Sequence, residues 1–319
     1  MRDIVNILFL GLADASILAL VTMGIVLIYK TSFTTNFAQG SIATASAYSV
    51  TAIFDLWIKT SMPDMPAWLG VSFSVLLGVL IGATFGIIID TLIIRKSKFS
   101  NPISKQMITM GVIMFMSGFI AVVFNKLNME TRTPTPLIRD TFTLKFGADS
   151  LTLSGHSFIV ILIAFIVLTT IFLALKYTKW GIGVRATASN ERVAGMMGIN
   201  TKKITAMSWG IAGGLGALAA GLYGPMIFTL SPDMMVGMQV NGFLAGVLGG
   251  FSTFGGPIFA AVLMTFTKVI LQDQLFGVSI KIFGSQIDQW VVAFVYFLLL
   301  IVILFKPLGL FGKKIAKKV

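Results

Sequence analysis

Lys179 to Lys203 reads KWGIGVRATASNERVAGMMGINTKK, a polar and basic stretch held between two strongly apolar segments. Its reading decides the fold. If the flanks are helices in hydrocarbon, this stretch lies in water at a membrane surface. It also carries local order of its own. Ser189 or Asn190 can cap a short helix by accepting from its first N–H groups. Glu191 then falls in the first turn, where the positive helix end favours it. Gly198 stands where a left-handed residue closes the helix, and Asn200 or Thr201 can cap the next one. Val193, Met196 and Met197 are left exposed on the short helix. Two readings stand side by side: a rigid element shaped for a partner's grip, or an ordinary basic loop that fixes topology.

The flanks support the membrane reading. Of 319 residues, 56% are hydrophobic and only 11% charged; mean hydropathy is +0.93. A soluble domain carries about 25% charged residues. The net charge of +12 invites a nucleic-acid reading, but its placement excludes one. Arg95, Lys96, Lys98 and Lys105 form one run; Lys176, Lys179, Arg185, Arg192, Lys202 and Lys203 a second; Lys306, Lys313, Lys314, Lys317 and Lys318 a third. Glu191 is the one acid among them, and each run abuts an apolar span. That is the positive-inside pattern, which orients a membrane protein.

A bilayer crossing needs roughly 20 apolar residues, and the chain offers a series of them. Ile4–Tyr29, Ser41–Trp57, Trp68–Ile94, Met107–Phe124, Phe158–Leu175, Ile204–Tyr223 and Gln289–Phe305 read as spans. Pro225 to Met238 reads as an outer connection, and Gln272 to Asp288 as an outer loop. Gln239–Leu271 is interrupted by LGGFSTFGGP at 248–257, which predicts two short helices meeting at a break that protein must cover. Parity between the basic runs gives nine crossings with the N-terminus outside, or eight if the N-terminal region re-enters. The segment 125–155 is extracytoplasmic in this scheme, and its two-residue alternation around Gly147 predicts a β-hairpin. The fold class is thus an all-α polytopic membrane protein, one domain over 1–319, with a basic cytoplasmic tail at 306–319. No cleavable signal is expected, because the first apolar run carries Asp14 and continues to Tyr29.

Composition narrows the chemistry. There is no cysteine, and His156 is the single histidine, expected at the edge of its span as an interfacial residue. Paired carboxylates on one face, HExxH and GxSxG are all missing, so an enzyme reading lacks its parts. A phosphate-cradling GxxxxGK[ST] is missing too; Gly309 to Lys314 has the wrong spacing. An ion-coupled carrier or channel would need an intramembrane charge. Asp90 reads as a helix-end charge near Arg95, and Lys268 can snorkel outward. Asp14 is expected to be hydrogen-bonded within the bundle or to lie near the outer surface, though a self-sufficient carrier would depend on it. The chain therefore forms a path without a motor of its own.

These segments resemble a known family. Asn36-Phe37-Ala38-Gln39-Gly40 is similar to an "NFAHG" element. Gly183, Arg185, Ala186, Ala188, Ala194, Gly198 and Ile199 fit a "GxRAxAxxxxAAxxxGI" loop. Leu248-Gly249-Gly250 with Phe254-Gly255-Gly256-Pro257 resembles "LGGxGSxxGAxxG", and Pro307, Gly309, Leu310 and Gly312 match a closing "PxGLxG". Together they resemble the permease subunit of ABC importers of the branched-chain amino-acid type, in a wider group with urea, ribose and nucleoside permeases.

The resemblance implies a multi-pass protein of the bacterial inner membrane, working with a second permease, two cytoplasmic ATPases and an extracytoplasmic solute-binding protein. ATP and Mg would be bound by those ATPases and no cofactor by this chain. It also implies that Gly183, Arg185, Ala186, Ala188, Ser189, Asn190, Glu191, Val193, Ala194, Met197, Gly198, Ile199 and Asn200 belong to the ATPase-coupling segment. Asn36, Gln39, Thr44, Ser46 and Asn241, with Gly249, Gly250, Gly255 and Gly256, are candidates for the translocation path; the polar ones can equally hydrogen-bond between helices. Departures are local. Gln39 stands where the family often has His; Ser189 replaces a frequent acid, Arg192 a frequent acid or polar residue, and Val193 a frequent Ala, so the docking charge shifts towards basic, which suits an acidic rim on its ATPase.

Overall fold

The computed structural model describes residues 2–97, 101–129, 132–146, 149–272, 281–282, 285–286 and 290–312. The expected basic tail beyond residue 312 and most of the outer loop after Gln272 lie outside them. Among the described residues, seven helices are long and apolar enough to cross a membrane, and Val236–Gly249 and Val291–Phe305 are shorter apolar helices. The chain is a polytopic all-α membrane protein with a small hairpin.

Helix α1 (Arg2–Ser32) forms the axis of the bundle. It is buried almost continuously from Ala13 to Ile28, and it packs against α9 (Thr201–Ile227), α11 (Gly255–Gln272), α10 (Val236–Gly249) and α6 (Gly155–Tyr177). In lipid a helix buried on all sides needs small neighbours, because helix association there rests on close van der Waals packing. The sequence supplies them. Helix α2 (Gln39–Ala52) is mostly Ala, Ser and Thr, and it runs through a π-helical turn (Ile53–Ile58) into the single turn α3 (Lys59–Ser61). Helix α4 (Ala67–Ile88) ends in a second π-helical turn, Ile89–Ile94. Helix α5 (Pro102–Asn125) opens with Asn101 accepting from the Ile103 N–H and with proline at the first position, where a missing N–H costs nothing.

The closest packing in the bundle joins α4 to α9. Gly78, Gly82 and Gly86 recur every four residues on α4, so they share one face. That face lies on the glycine-rich face of α9. A methyl group built on Gly213 would sit 2.2 Å from the Gly82 carbonyl oxygen, and one built on Gly86 would sit 2.2 Å from the Trp209 carbonyl oxygen. The glycine density of α9 was legible; its partner on α4 was not. Pro225 also corrects the sequence reading, since it lies inside α9 and not in the loop beyond it. Phe228, in the left-handed region with φ 57°, stops the helix.

At one end of the bundle the predicted hairpin is present: β1 (Thr141–Phe146) pairs antiparallel with β2 (Asp149–Ser154), Thr143 opposite Thr152. His156 is not at an interface, as its position at a span edge implied. It is buried, its Nδ1 accepting from the Leu137 N–H at 3.2 Å and its Nε2 facing the Leu222 carbonyl at 2.9 Å. Since a backbone N–H only donates and a carbonyl only accepts, the neutral Nε2–H tautomer satisfies both. The ring thereby ties the segment before the hairpin to α6 and α9.

At the opposite end the basic segments converge. Arg95 donates to the Lys202 carbonyl at 2.7 Å, and Thr205 Oγ1 to the Thr31 carbonyl at 3.3 Å. Asp90 is more than a helix-end charge: it is buried and forms an ion pair with Arg95. The guanidinium therefore links the end of the α4 span to the start of α9.

The α4–α9 seam gives a sharp contrast. Gly213→Ala should destabilise the fold by about 1–3 kcal/mol, the usual range for overpacking. Gly214→Ala, whose nearest neighbour would be Val79 at 3.4 Å, should be tolerated. Thermal unfolding in detergent compares the two; equal melting temperatures would refute the packing argument.

Candidate functional site

Between α6 and α9 the chain folds into two short helices, α7 (Lys179–Ser189) and α8 (Glu191–Met196). The sequence reading foresaw α8 alone; α7 follows from Thr178, whose hydroxyl accepts from the Gly181 N–H at 3.1 Å and caps it. Helix α7 is fixed on the bundle. Gly181, Gly183, Val184 and Thr187 are buried, and a methyl on Gly183 would meet Ile204 Cδ1 at 2.6 Å. Arg185, expected in the coupling segment, is exposed, and its guanidinium donates to the Leu175 carbonyl and, at 3.5 Å, to that of Lys176. It closes the C-terminus of α6, where free carbonyls favour a cation. Ala186 and Ala188 are half-buried beside it.

Helix α8 has the geometry the sequence implied. Asn190, not Ser189, provides the cap, accepting from the Val193 N–H at 3.1 Å, with Glu191 in the first turn. Gly198 takes φ +84°, and the Ile199 N–H donates to the Ala194 carbonyl at 3.1 Å. Asn200, not Thr201, caps α9 by accepting from the Lys203 N–H at 3.0 Å. Ala194 anchors the helix at 4% exposure, while Val193, Met196 and Met197 stand at 51%, 77% and 78%. Val193, Met196 and Met197 thus form an exposed apolar knuckle on a helix capped at both ends and rooted in the bundle.

The polar candidates for the path divide into two places. Asn36, Gln39, Thr44 and Ser46 gather at the buried start of α2. Asn36 Oδ1 accepts from the Ala38 N–H at 3.0 Å, which shapes the turn between α1 and α2. Gln39 Nε2 donates to the Ala212 carbonyl at 2.7 Å, and Ser46 Oγ to the Ile42 carbonyl at 2.9 Å. Gln39 Oε1 and Thr44 Oγ1 are buried without a hydrogen-bond partner among the described residues. Sequence reasoning passed over Gln239, which clamps this turn from α10: its Oε1 accepts from the Gly40 N–H, and its Nε2 donates to the Phe37 carbonyl. An amide inside an apolar helix was the signal available. Asn241 lies apart, accepting from the Tyr296 hydroxyl at 3.0 Å between α10 and α12 (Val291–Phe305).

Gly249, Gly250, Gly255 and Gly256 border the break between α10 and α11, and the closing PxGLxG stretch packs onto it. Leu310 N–H donates to the Leu248 carbonyl at 2.7 Å and Phe311 N–H to that of Gly249 at 3.3 Å. Gly250 takes φ +84°, and a methyl there would lie 2.6 Å from the Leu308 carbonyl oxygen. Lys30, from the end of α1, donates to the Ser252 carbonyl and lies 5.6 Å from the Phe254 ring centroid. The closing stretch and Lys30 thus cover one side of the break, while Ser252 and Gly255 stay exposed.

The family model described as "Branched-chain amino acid transport system / permease component" matches residues 7–304. Among known proteins, the "High-affinity branched-chain amino acid transport system permease protein BraD" of Pseudomonas aeruginosa is 25% identical, over 97% of this chain and 96% of the relative. LivH of Escherichia coli K12, described in the same words, is 24% identical over 98% and 96%. The "Nucleoside ABC transporter permease protein NupB" of Lactococcus lactis is 27% identical over 67% of this chain and 59% of its own length.

The cap at Asn190 is testable directly. Asn190→Ala should cost about 1 kcal/mol of local helix stability, or about fivefold faster amide exchange at 193–197. Asn190→Asp should keep wild-type protection, read by hydrogen-exchange mass spectrometry.

Proposed function

Because the chain belongs to the family of permease components of branched-chain amino acid transport systems, we propose that it lines the path of an ATP-driven importer of branched-chain amino acids. The observation that carries the coupling part is helix α8, with Val193, Met196 and Met197 exposed on a rigid root. It faces the cytoplasm, together with the C-terminus and the other basic segments. There a separate ATPase holds it in a groove whose rim is acidic, to match Arg192, Lys202 and Lys203. A second permease completes the path, two ATPases bind ATP and Mg, and a solute-binding protein delivers cargo at the hairpin end. The chain contributes no catalysis of its own.

The geometry supplies a route for the stroke. Movement of α8 as a body is passed to α7, which Arg185 fastens to the end of α6. It also reaches α9 through the Asn200 cap, and α9 lies backbone to backbone on α4. Glycine seams allow such helices to slide or rotate together without side chains interlocking. The path can then alternate between outward and inward access.

One relative favours a second cargo within the same mechanism, since NupB is named as a nucleoside permease. The complete importer in proteoliposomes separates the two: leucine should stimulate ATP hydrolysis and uridine should not. Stimulation by uridine alone would move the cargo while keeping the mechanism. Val193→Asp and Met197→Asp should each lower ATPase copurification at least tenfold with the permease still folded. Undiminished copurification of both variants would remove α8 from the coupling role.

A further inference from the structure

An apolar groove of about 750 Å³ runs along three helices, lined by Val79, Ala83 and Ile87 of α4, Val167 and Ile171 of α6, and Gly214 of α9 among others. It lies within spans, and its lining residues Leu76, Ile87 and Met207 are exposed, so it opens on the outside of the bundle. Its length follows from α4, whose lining residues run from Ser72 to Ile87. At 1.5 Å per residue that is about 22 Å, and one leaflet offers about 15 Å of hydrocarbon. The groove therefore covers the depth of a full leaflet. Its lining carries one polar side chain, Ser72, whose hydroxyl already donates to the Trp68 carbonyl at 2.7 Å. Along this length the matching occupant is hydrocarbon.

The two ends of the groove differ. One reaches Leu137, just before β1. The other ends at Ile87 and Met207, where basic groups gather. Lys203 lies four residues before Met207, on the same face of α9. Arg95 is held beside it, donating to the Lys202 carbonyl at 2.7 Å. Lys96, Lys202 and Lys203 are exposed. Asp90, the acid on this stretch of α4, is buried and taken by Arg95. The other salt bridges among the described residues, Lys59–Asp55 and Arg132–Asp55, engage none of the three lysines. An apolar groove thus ends under a set of cations without an acidic partner. A helix laid in the groove would have no need of them. A phospholipid with a negative head group matches both halves, since basic pockets beside spans hold anionic head groups and lysine stems snorkel to that level.

We propose that the groove between α4, α6 and α9 holds an anionic phospholipid, with an acyl chain along Ala83 and Gly214 and the phosphate on Lys96, Lys202 and Lys203. Recognition is by charge at the mouth and by shape below it, so phosphatidylglycerol fits and a head group of no net charge does not. The site goes beyond the transport reading, since it requires only that the chain lies in a membrane. It sets a lipid against the joint that Arg95 makes between α4 and α9, next to the Asn200 cap from which α9 starts.

The test uses the full chain purified in detergent, with two lipids of identical chains added: dioleoylphosphatidylglycerol and dioleoylphosphatidylcholine. Native mass spectrometry reads the lipid retained. Wild type should retain the glycerol lipid at least tenfold over the choline lipid. The triple variant Lys96→Gln, Lys202→Gln, Lys203→Gln should bring that ratio to within about twofold of unity, with choline lipid retention unchanged. Ala83→Trp fills the groove, since a methyl on Gly214 would already lie 3.7 Å from the Ala83 methyl. It should lower retention of both lipids at least fivefold. An unaltered preference in the triple variant overturns the proposal, and its three positions are exposed, so the fold survives the change. Undiminished retention in Ala83→Trp overturns it as well; should that variant not fold, Val79→Phe takes its place with the same two outcomes. A second copy or a partner helix in the groove would appear as a wild-type dimer that Ala83→Trp dissociates while lipid retention stays constant, and that result also overturns the lipid site.

Discussion

A side chain at Gly82 or Gly213 would occupy the space of the facing helix's backbone, and the rest of the bundle depends on that exclusion. Lipid tails are as apolar as leucine, so burying leucine between helices gains little inside a bilayer. What holds α4 against α9 is the approach of main chain to main chain, available only where side chains are lacking. With α9 placed, α1 and α2 find their beds along its other faces, and Trp209 is sealed where α4 and α9 meet. The polar contacts are local refinements on this frame: Gln39 reaching across to Ala212, Gln239 gripping the Gly40 turn, His156 pinning the hairpin end.

Much of the fold was legible because membrane physics constrains sequence so tightly. Spans follow from length and apolarity, and the broken helix from its paired glycines and proline. Helix α8 was readable to within one residue at each cap, with Ser189 or Asn190 before it and Asn200 or Thr201 after it, because capping and the Gly198 turn are local jobs that need no knowledge of the rest of the chain. What was not legible depended on distant partners. Arg185 looks like a docking charge until the free carbonyls of α6 are found beside it. Asp90 reads as a helix-end charge near Arg95, and what the sequence does not show is its burial and the Arg95 link onward to the Lys202 carbonyl. Pro225 looks like a loop residue, yet it sits in the last turn of α9, just before Phe228 stops the helix.

The candidate path was read less well than the docking element, for a related reason. Small polar residues have the same appearance in sequence whether they line a channel or bond to their own helix. Ser46 does the latter, bonding back four residues to Ile42. Asn36 shapes a turn, and the glycines at the break make room for the closing segment.

Helix lengths have a consequence for the surrounding bilayer. At 1.5 Å per residue, the 31 residues of α1 extend about 46 Å, well beyond the roughly 30 Å of hydrocarbon. The 15 residues of α12 reach only about 22 Å. A long axial helix must tilt or protrude, while a short peripheral one draws the membrane inward around it. Such unequal lengths are accommodated by tilt of the long helix and, at the short one, by local thinning, snorkelling of flanking side chains or association with another helix.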